Sequence, residues 1–363
     1  MVAPAPAKKL RAEAEALLRL EGFLLDLVTV GLGGLTEGSA RAITEEARRL
    51  GDLDVTRGAA GRLRAIAEQV SPGSAAAGPE LTSPLRGSAA EITELATELW
   101  ALARRGRRGA EAKLAGAKAT AEDAYVESLL GRPFRLTELE QAGYWVKDRS
   151  LLELADERTW SSSRGDASAT GYLLDLDEGA VMREWTSLPE RARSSGRAAL
   201  RPIREGVIFV TEAALYPGSP GLVNPRIRWD DKATPSKVRE RPRTEADYAR
   251  LHALARPVSA LVASLREQRR RVLGPREAVG LASIARFQTA GRDLLAVDHE
   301  GTELVLRDPK GARYPTTDNL RRAAAAFGAG SLTVRLYLDR GARAFVGQPL
   351  ALVAGLEHLR LGL

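Results

Sequence analysis

Residues 172–182, YLLDLDEGAVM, predict two antiparallel strands joined by a tight turn. Apolar side chains flank Asp177-Glu178-Gly179, and a short turn ending in Gly between such runs is typical of a β-hairpin. The alternating carboxylates of 175–178 raise a second interpretation, a calcium loop, which needs about six oxygen ligands over a twelve-residue span. The remainder of such a span adds only Glu184. The sequence therefore favours the hairpin.

Further strands are predicted on the C-terminal side of this hairpin. Residues 207–211 are β-branched and aromatic, and in 223–229 arginines alternate along one face. Nearer the C-terminus, 304–306 and 332–338 predict strands bounded by Asp- and Gly-containing turns. Residues 319–327, rich in Ala and Arg, predict a short helix between those two strands.

The first 130 residues instead carry the three- and four-residue spacing of amphipathic helices. Glycines at 31, 33 and 34 predict the end of the first helix, and Thr36 is a candidate cap for the second. The side chains predicted to face the core are Leu17, Leu20, Leu24, Leu27 and Val28 in the first helix, Ala40, Ile43, Ala47 and Leu50 in the second, and Leu63, Ile66, Ala67 and Val70 in the third.

Two interruptions divide the rest of this helical region. The Ser-, Pro- and Gly-rich residues 71–88 predict a loop. The clearest amphipathic period follows, at Ile92, Leu95, Ala96, Leu99 and Leu102. Arginines and glycines in 104–109 predict the end of that helix, and another helix is predicted through Tyr125–Leu130.

This segregation of helices and strands predicts an α+β protein. The expected organisation is a helical domain over 1–131, a β-rich module over 132–231, a basic linker and helix over 232–276, and a C-terminal β-rich module over 277–363. Within the third segment, Thr244 and Asp247 predict a capped helix start, and Pro257 predicts a kink or a break.

Composition excludes several kinds of chemistry. The 363 residues contain no Cys and only three His, at 252, 299 and 358, so thiolate metal sites and cysteine nucleophiles are excluded. The sequence lacks a phosphate-binding P-loop, a His-Glu-x-x-His helix and a Gly-x-Ser-x-Gly elbow. We therefore expect no catalytic residue, no cofactor and no metal, and a non-enzymatic function.

The sequence also predicts where in the cell the protein is located. The first residues do not resemble a signal peptide. The longest apolar run, Phe23 to Leu35, contains Asp26 and is shorter than the roughly 20 residues that a membrane-spanning helix requires. These observations predict a cytoplasmic protein that has no membrane partner.

Positive charge is concentrated in one segment. Between Lys232 and Arg276, twelve Lys and Arg residues stand against four acids, a net charge of +8, whereas the whole chain carries +7. Such a segment can bind phosphates or an acidic protein, form a solvated face, or complement a helix dipole. Aromatic residues that would stack on bases are missing from it apart from Tyr248. The predicted contacts for a partner or nucleic acid are Lys232, Lys237, Arg239, Arg241, Arg243, Arg266, Arg269, Arg270, Arg271 and Arg276.

Several short stretches together resemble the region that follows the finger in bacterial SWIM zinc finger proteins. The chain departs from this family in one respect, because a finger built on Cys and His cannot form without Cys. Zinc and finger-mediated DNA binding are therefore not expected. The similar stretches are Phe23–Val28 with Gly31-Leu32, Ala47–Leu53, Ala60–Ala67, Thr159-Trp160, Gly171–Leu176, Ala213–Gly218, Leu304–Pro315 and Leu332–Val334.

The resemblance implies a function in a multi-protein system. Members of this family are often encoded beside a MoxR-type AAA+ ATPase and a von Willebrand A domain protein, so the resemblance implies an accessory subunit with those partners. Two hypotheses follow: a non-enzymatic interaction or scaffold subunit, and alternatively a nucleic-acid-binding module that uses 232–276. A third, an enzyme with a site assembled from distant carboxylates, would show clustered acids with shifted pKa values.

Overall fold

The computed structural model describes residues 7–31, 35, 37–53, 56–70, 89–118, 120–161, 166–189, 200–217, 224–229, 238–270, 273–309, 315–339 and 342–362. The chain divides into two compact units. One unit contains residues 1–142 with 217–220, and the other contains 143–216 with 221–363.

The first unit is helical. The side chains predicted to be buried in the second and third helices are buried, as are Leu17, Leu20 and Leu24 of the first, whereas Val28 is exposed. The predicted Thr36 cap and the predicted loop 71–88 lie outside the described residues. The helices are α1 (Ala7–Val30), α2 (Glu37–Gly51), α3 (Arg57–Val70), α4 (Ala89–Leu114), α5 (Ala121–Leu130) and α6 (Leu136–Gln141).

The prediction that a helix ends within 104–109 is wrong, because α4 continues through this segment to Leu114. A Cβ atom at Gly106 would lie 2.5 Å from Leu130 Cδ1 and 3.1 Å from Leu17 Cδ1. Gly106 therefore allows α1 and α5 to approach α4 closely. The glycine that suggested a helix end is a packing residue within the helix.

The second unit contains two small barrels. Barrel 1 comprises β1 (Trp145–Ser161), β2 (Asp166–Asp175), β3 (Val181–Pro189), β4 (Val207–Leu215), β5 (Ile227–Arg228) and β6 (Val238–Arg241). Its strands are ordered β3-β2-β1-β4-β5, and β6 also pairs with β4. A parallel bridge between Arg183 and Arg226 joins β3 to the residue before β5 and closes the sheet. The hairpin predicted from 172–182 is confirmed, since Leu173 pairs with Met182.

Barrel 2 repeats this arrangement. It comprises β7 (Glu277–Ala290), β8 (Asp293–Asp298), β9 (Glu303–Leu306), β10 (Gly330–Asp339), β11 (Ala344–Ala354) and β12 (Glu357–Arg360). The order is β10-β7-β8-β9-β11, with β11 pairing back to β10. The pairing of β9 with β11 is parallel, as the closing bridge of barrel 1 is. In both barrels the fifth strand lies between the third and the fourth, which makes each a five-stranded Greek-key barrel.

In the described part of the chain, three helices accompany the barrels: α7 (Glu245–Leu254), α8 (Val258–Arg269) and α9 (Thr316–Phe327). Thr244 and Asp247 form the predicted capping box of α7. Pro257 precedes α8, so the predicted break is confirmed. Residues 232–243 are not wholly a linker, since 238–241 form β6 and 232–237 lie outside the described residues.

Each barrel has its own apolar interior, and a further apolar layer joins the two. Leu151, Leu173 and Ile208 lie inside barrel 1. On the other face of β1, Leu152 and Leu154 pack in one cluster with Leu281 and Val353 of barrel 2. The two barrels are therefore joined by a shared apolar layer. The helices of the first unit and the strands of the second confirm the predicted α+β class.

Candidate nucleic-acid interface

The outer face of barrel 1 presents an arginine and a tryptophan on β3. Successive strand residues point to opposite faces, and here Met182 and Glu184 are buried whereas Arg183 and Trp185 are exposed. Trp185 is 41% exposed, which is uncommon for a large aromatic side chain. Its ring is thus available at the surface.

Arg226 lies between two aromatic rings. The carbon of its guanidinium is 4.9 Å from the centroid of the Trp185 ring and 4.5 Å from that of the Tyr216 ring. Backbone hydrogen bonds fix this arrangement, since Tyr216 N donates to the Arg226 carbonyl (2.8 Å) and Arg183 N donates to the Pro225 carbonyl (2.9 Å). The Arg226 side chain is therefore pre-positioned by stacking on both faces.

A third arginine extends this cluster. Arg228 is exposed and donates from Nη1 to the Tyr216 hydroxyl at 3.2 Å. Burial lowers the pKa of Arg226, and the nearby positive charges of Arg228 and Arg183 lower it further. Within the part of the chain that the structure describes, none of these three arginines forms an ion pair. We call Arg183, Trp185, Tyr216, Arg226 and Arg228 the arginine–tryptophan platform.

Carboxylates near the platform are occupied by a different arginine. Glu153, Asp156 and Glu184 are buried, and all three bind the guanidinium of buried Arg201. Arg201 Nη1 is 2.6 Å from Asp156 and Nε is 2.8 Å from Glu184. Burial raises the pKa of Glu153 to about 7, although the charge of Arg201 opposes this change. This buried cluster holds Glu184, the residue between Arg183 and Trp185.

The N-terminal part of the predicted basic segment is largely engaged within the chain. Lys232, Lys237 and Arg271 lie outside the described residues, and Arg239 is exposed on β6. Arg241 donates to both oxygens of Asp247 at 2.6 and 2.7 Å, which lowers the pKa of that carboxyl. Arg243 donates to the carbonyls of Glu153 and Arg204 and contacts His358.

The C-terminal part of that segment lies at the end of α8. Arg266 is exposed, and its guanidinium lies 5.6 Å from the centroid of the Phe345 ring. Arg269 donates to the Arg276 carbonyl at 3.1 Å, and Arg270 pairs with Glu267 at 3.0 Å. The structure therefore brings no residue of 232–276 to the platform among those it describes.

The sequence did contain a signal for the platform. The alternating arginines of 223–229 are Arg226 and Arg228, and Arg183 and Trp185 follow the predicted hairpin turn in the same alternating pattern. What the sequence did not show is that these two stretches are neighbours, because a single parallel bridge brings them together.

Two of the three histidines, His252 and His358, form contacts within the chain, whereas His299 is exposed. His358 donates from Nε2 to the Leu154 carbonyl at 2.8 Å, and its Nδ1 faces Arg243. Burial lowers the pKa of His358 to about 4, and the charge of Arg243 acts in the same direction. His252 contacts the Ser331 hydroxyl and the Gly355 carbonyl. Among the described residues, no group of three or more His, Asp or Glu side chains could hold a metal ion.

The strand order defines the architecture of the second unit. A five-stranded Greek-key barrel is the architecture of the oligonucleotide/oligosaccharide-binding (OB) fold, whose ligands lie on strands 2 and 3 and on the loops 1–2 and 4–5. The platform combines strand 3 and the loop between strands 4 and 5 of barrel 1. The second unit is therefore a tandem of two OB-type barrels.

No helix among the described residues has the length and apolar character needed to cross a membrane.

Comparisons with known proteins add structural similarities of low score. No family model and no curated relative matches the chain, so the resemblance to SWIM zinc finger proteins and its implied partners stay predictions. The HINa domain of Ifi202 in complex with 20-bp double-stranded DNA is 8% identical, with a TM-score of 0.24 over 56% of this chain and 93% of that one. A replication protein A heterotrimer bound to single-stranded DNA is 11% identical, with a TM-score of 0.22 over 57% of this chain and 49% of that one.

A third solved structure, described as "Structural mimicry for functional antagonism", is 7% identical, with a TM-score of 0.24 over 56% of this chain and 88% of that one. Scores of 0.22 to 0.24 establish neither a shared fold nor a shared ligand. The assignment of two Greek-key barrels therefore depends on the strand order alone.

Proposed function

We propose that this protein binds single-stranded nucleic acid through the arginine–tryptophan platform of barrel 1. The observation that supports the proposal is the combination of three adjacent arginines with an exposed tryptophan, without an ion pair to any of the three among the described residues. Adjacent like charges destabilise one another, and a bound anion removes that cost. A phosphate backbone supplies several such anions in a row.

The contrast with other arginines of the same unit supports this interpretation. Arg201 is paired with three carboxylates, and Arg307 is paired with Asp293 and Asp339. Arg201 and Arg307 thus have acidic partners within the chain. The platform arginines have no acidic partner among the described residues, as expected if a bound ligand supplies the negative charge.

The exposed ring favours a single strand over a duplex. Bases in a single strand are free to stack on an aromatic side chain, and each such stack is worth about 1–3 kcal/mol. In a duplex the bases already stack on one another and would have to be flipped out. We therefore assign Trp185 to base stacking, and the exposed Arg183 and Arg228 to phosphate contacts.

Fluorescence anisotropy with labelled oligo(dT) of about 12 nucleotides, a typical site size for one OB barrel, tests the proposal. Wild-type protein is expected to bind this strand more tightly than a duplex of equal length. Trp185→Ala should weaken binding about 5- to 150-fold, which corresponds to the loss of one stacked base. Phe327→Ala is the matched control, because Phe327 is also a large exposed aromatic, 39% exposed compared with 41% for Trp185.

Three results would contradict the proposal. The first is equal affinity of Trp185→Ala and Phe327→Ala for oligo(dT). The second is efficient displacement of oligo(dT) by poly-glutamate at equal charge concentration, which would indicate an acidic protein as the ligand. The third is duplex binding as strong as single-strand binding, which would also exclude the assignment of Trp185 to base stacking.

A further inference from the structure

The end of α8 lies against the beginning of β11 in barrel 2. The guanidinium of Arg266, in the last turn of α8, lies over the ring of Phe345, the second residue of β11. Phe345 is half-buried and packs against the core of barrel 2. Because the ring is fixed by the core, the stacked guanidinium is held in a defined position at the surface.

The contact between Arg266 and Phe345 lies at the position in barrel 2 that corresponds to the platform in barrel 1, the entry of the fifth strand. In barrel 1, Tyr216 and Arg226 lie in the connection that precedes the fifth strand, β5. In barrel 2, the connection that precedes the fifth strand, β11, contains Arg343, which is exposed and lies two residues before Phe345. Each barrel thus has an arginine stacked on an aromatic ring near the entry of its fifth strand. In barrel 1 this arginine is Arg226, and in barrel 2 it is Arg266 of α8, which lies over Phe345.

The charges at this second place are only partly neutralised. Among the residues that the structure describes, neither Arg266 nor Arg343 forms an ion pair. Arg270 pairs with Glu267, but the two side chains are 73% and 63% exposed, so solvent screens this pair and its contribution to stability is small. The described residues therefore leave two positive charges near Phe345 without an acidic partner: Arg266, stacked on its ring, and Arg343, two residues before it in the sequence.

The two barrels are held together within one compact unit. Asn224 of barrel 1 donates from Nδ2 to the Val279 carbonyl at 2.7 Å, and Val279 N donates back to Asn224 Oδ1 at 2.6 Å. Arg335 of β10 pairs with Glu157 of β1. Contacts on the two barrels are consequently fixed with respect to each other.

We infer that Arg266 and Arg343 of barrel 2 form a second contact for the strand that the platform of barrel 1 binds. The inference rests on the proposed function and adds a length requirement to it. The second contact binds phosphates and not bases, because the Phe345 ring is half-buried and covered by Arg266. A strand long enough to reach both barrels gains affinity, since its second contact forms within the complex.

The test is a length series of oligo(dT), from about 6 to about 30 nucleotides, measured with the 363-residue chain. The double variant Arg266→Ala/Arg343→Ala is compared with Arg108→Ala/Lys118→Ala, which removes the same charge from exposed positions of the helical unit. For long strands the first variant should bind about tenfold more weakly than the control. For the shortest strands the two variants should bind alike, whereas Trp185→Ala weakens binding at every length.

The other outcomes distinguish failure of the second contact from failure of the proposed function. Equal affinity of the two double variants at every length overturns the second contact and leaves the proposed function intact. An equal loss at every length also overturns it, since the charges would then act on a strand too short to reach from barrel to barrel. If the wild-type chain binds no oligo(dT) of any length, the proposed function itself fails.

Discussion

Glu157 on β1 and Arg335 on β10 form an ion pair that joins the two barrels. The Tyr172 hydroxyl accepts from Arg335 Nη2 at 2.8 Å and donates to Glu157 at 3.0 Å. Burial raises the pKa of Tyr172, with the charge of Glu157 acting in the same direction. The three side chains form a polar connection beside the apolar layer between the barrels.

Removing only the arginine should destabilise the protein. Arg335→Met leaves the Glu157 carboxylate without its cationic partner, and we expect a loss of roughly 2–4 kcal/mol in the free energy of unfolding, measured by urea denaturation. Replacing both residues, as Glu157→Gln/Arg335→Met, should restore much of that loss. The control is Arg105→Met, which breaks the exposed pair with Glu122 and should cost less than about 1 kcal/mol. A cost for Arg335→Met no larger than this control would contradict the assigned role.

The stability of the second unit should depend on pH through Glu153 and His358, whose contributions to the free energy of unfolding change with pH in opposite directions. The raised pKa of Glu153, about 7, means that the native state retains a proton that the unfolded state loses above about pH 4.5. Its contribution to stability is present at low pH and is lost as the pH rises through 7. The lowered pKa of His358, about 4, acts in the opposite way: its contribution is present above 6.5 and is lost as the pH falls through 4.

Single variants should separate these two contributions. Relative to wild type, Glu153→Gln should gain stability as the pH rises from 4.5 to 7, by at most about 1.4 kcal/mol per pH unit. Relative to wild type, His358→Gln should lose stability as the pH rises from 4 to 6.5. Urea midpoints measured across this pH range provide the test. Parallel profiles for the wild type and both variants would show that neither group titrates as described.

Local sequence patterns predicted most of the helices and about half of the strands, but neither the long strands β1, β7 and β11 nor the closure of the barrels. The hairpin at 172–182 and the capped start of α7 follow from turn and cap residues a few positions apart. Closure of barrel 1 depends instead on the two-residue strand β5 and on the bridge from Arg183 to Arg226. Such short pairings between distant residues leave no hydrophobic period in the sequence.

The location of the candidate site also could not be predicted from local sequence patterns. A count of charges favoured 232–276, but the count does not show which charges are paired in the fold. Arg243 contacts His358, a residue 115 positions away, and is thereby held within the second unit. The platform is smaller and its charges are spread over two stretches of the chain, so only the tertiary structure reveals that they meet.

Gly106 provides a test of close packing in the helical unit. Gly106→Ala should destabilise the protein by about 1–3 kcal/mol, because its Cβ would overlap Leu130 and Leu17. Gly61→Ala is the control: this glycine is also within a helix, α3, and a Cβ there meets nothing within 4 Å. Better helix propensity should make Gly61→Ala more stable by about 1 kcal/mol. Thermal or urea unfolding measures both, and equal effects of the two substitutions would refute the packing role of Gly106.

The platform arginines should set the salt dependence of nucleic-acid binding. Each phosphate contact on a single strand contributes about 0.7 to the slope of log affinity against log salt concentration. Arg228→Ala should therefore reduce this slope by about 0.7, because a released counterion is lost with the contact. Arg108→Ala removes an exposed charge from the helical unit and should leave the slope unchanged. Affinities of oligo(dT) at several salt concentrations give the slopes, and an Arg228→Ala slope equal to that of Arg108→Ala would remove Arg228 from the interface. A Trp185→Ala variant with lower affinity but an unchanged slope would separate base stacking from phosphate contact within the same platform, since stacking releases no counterion.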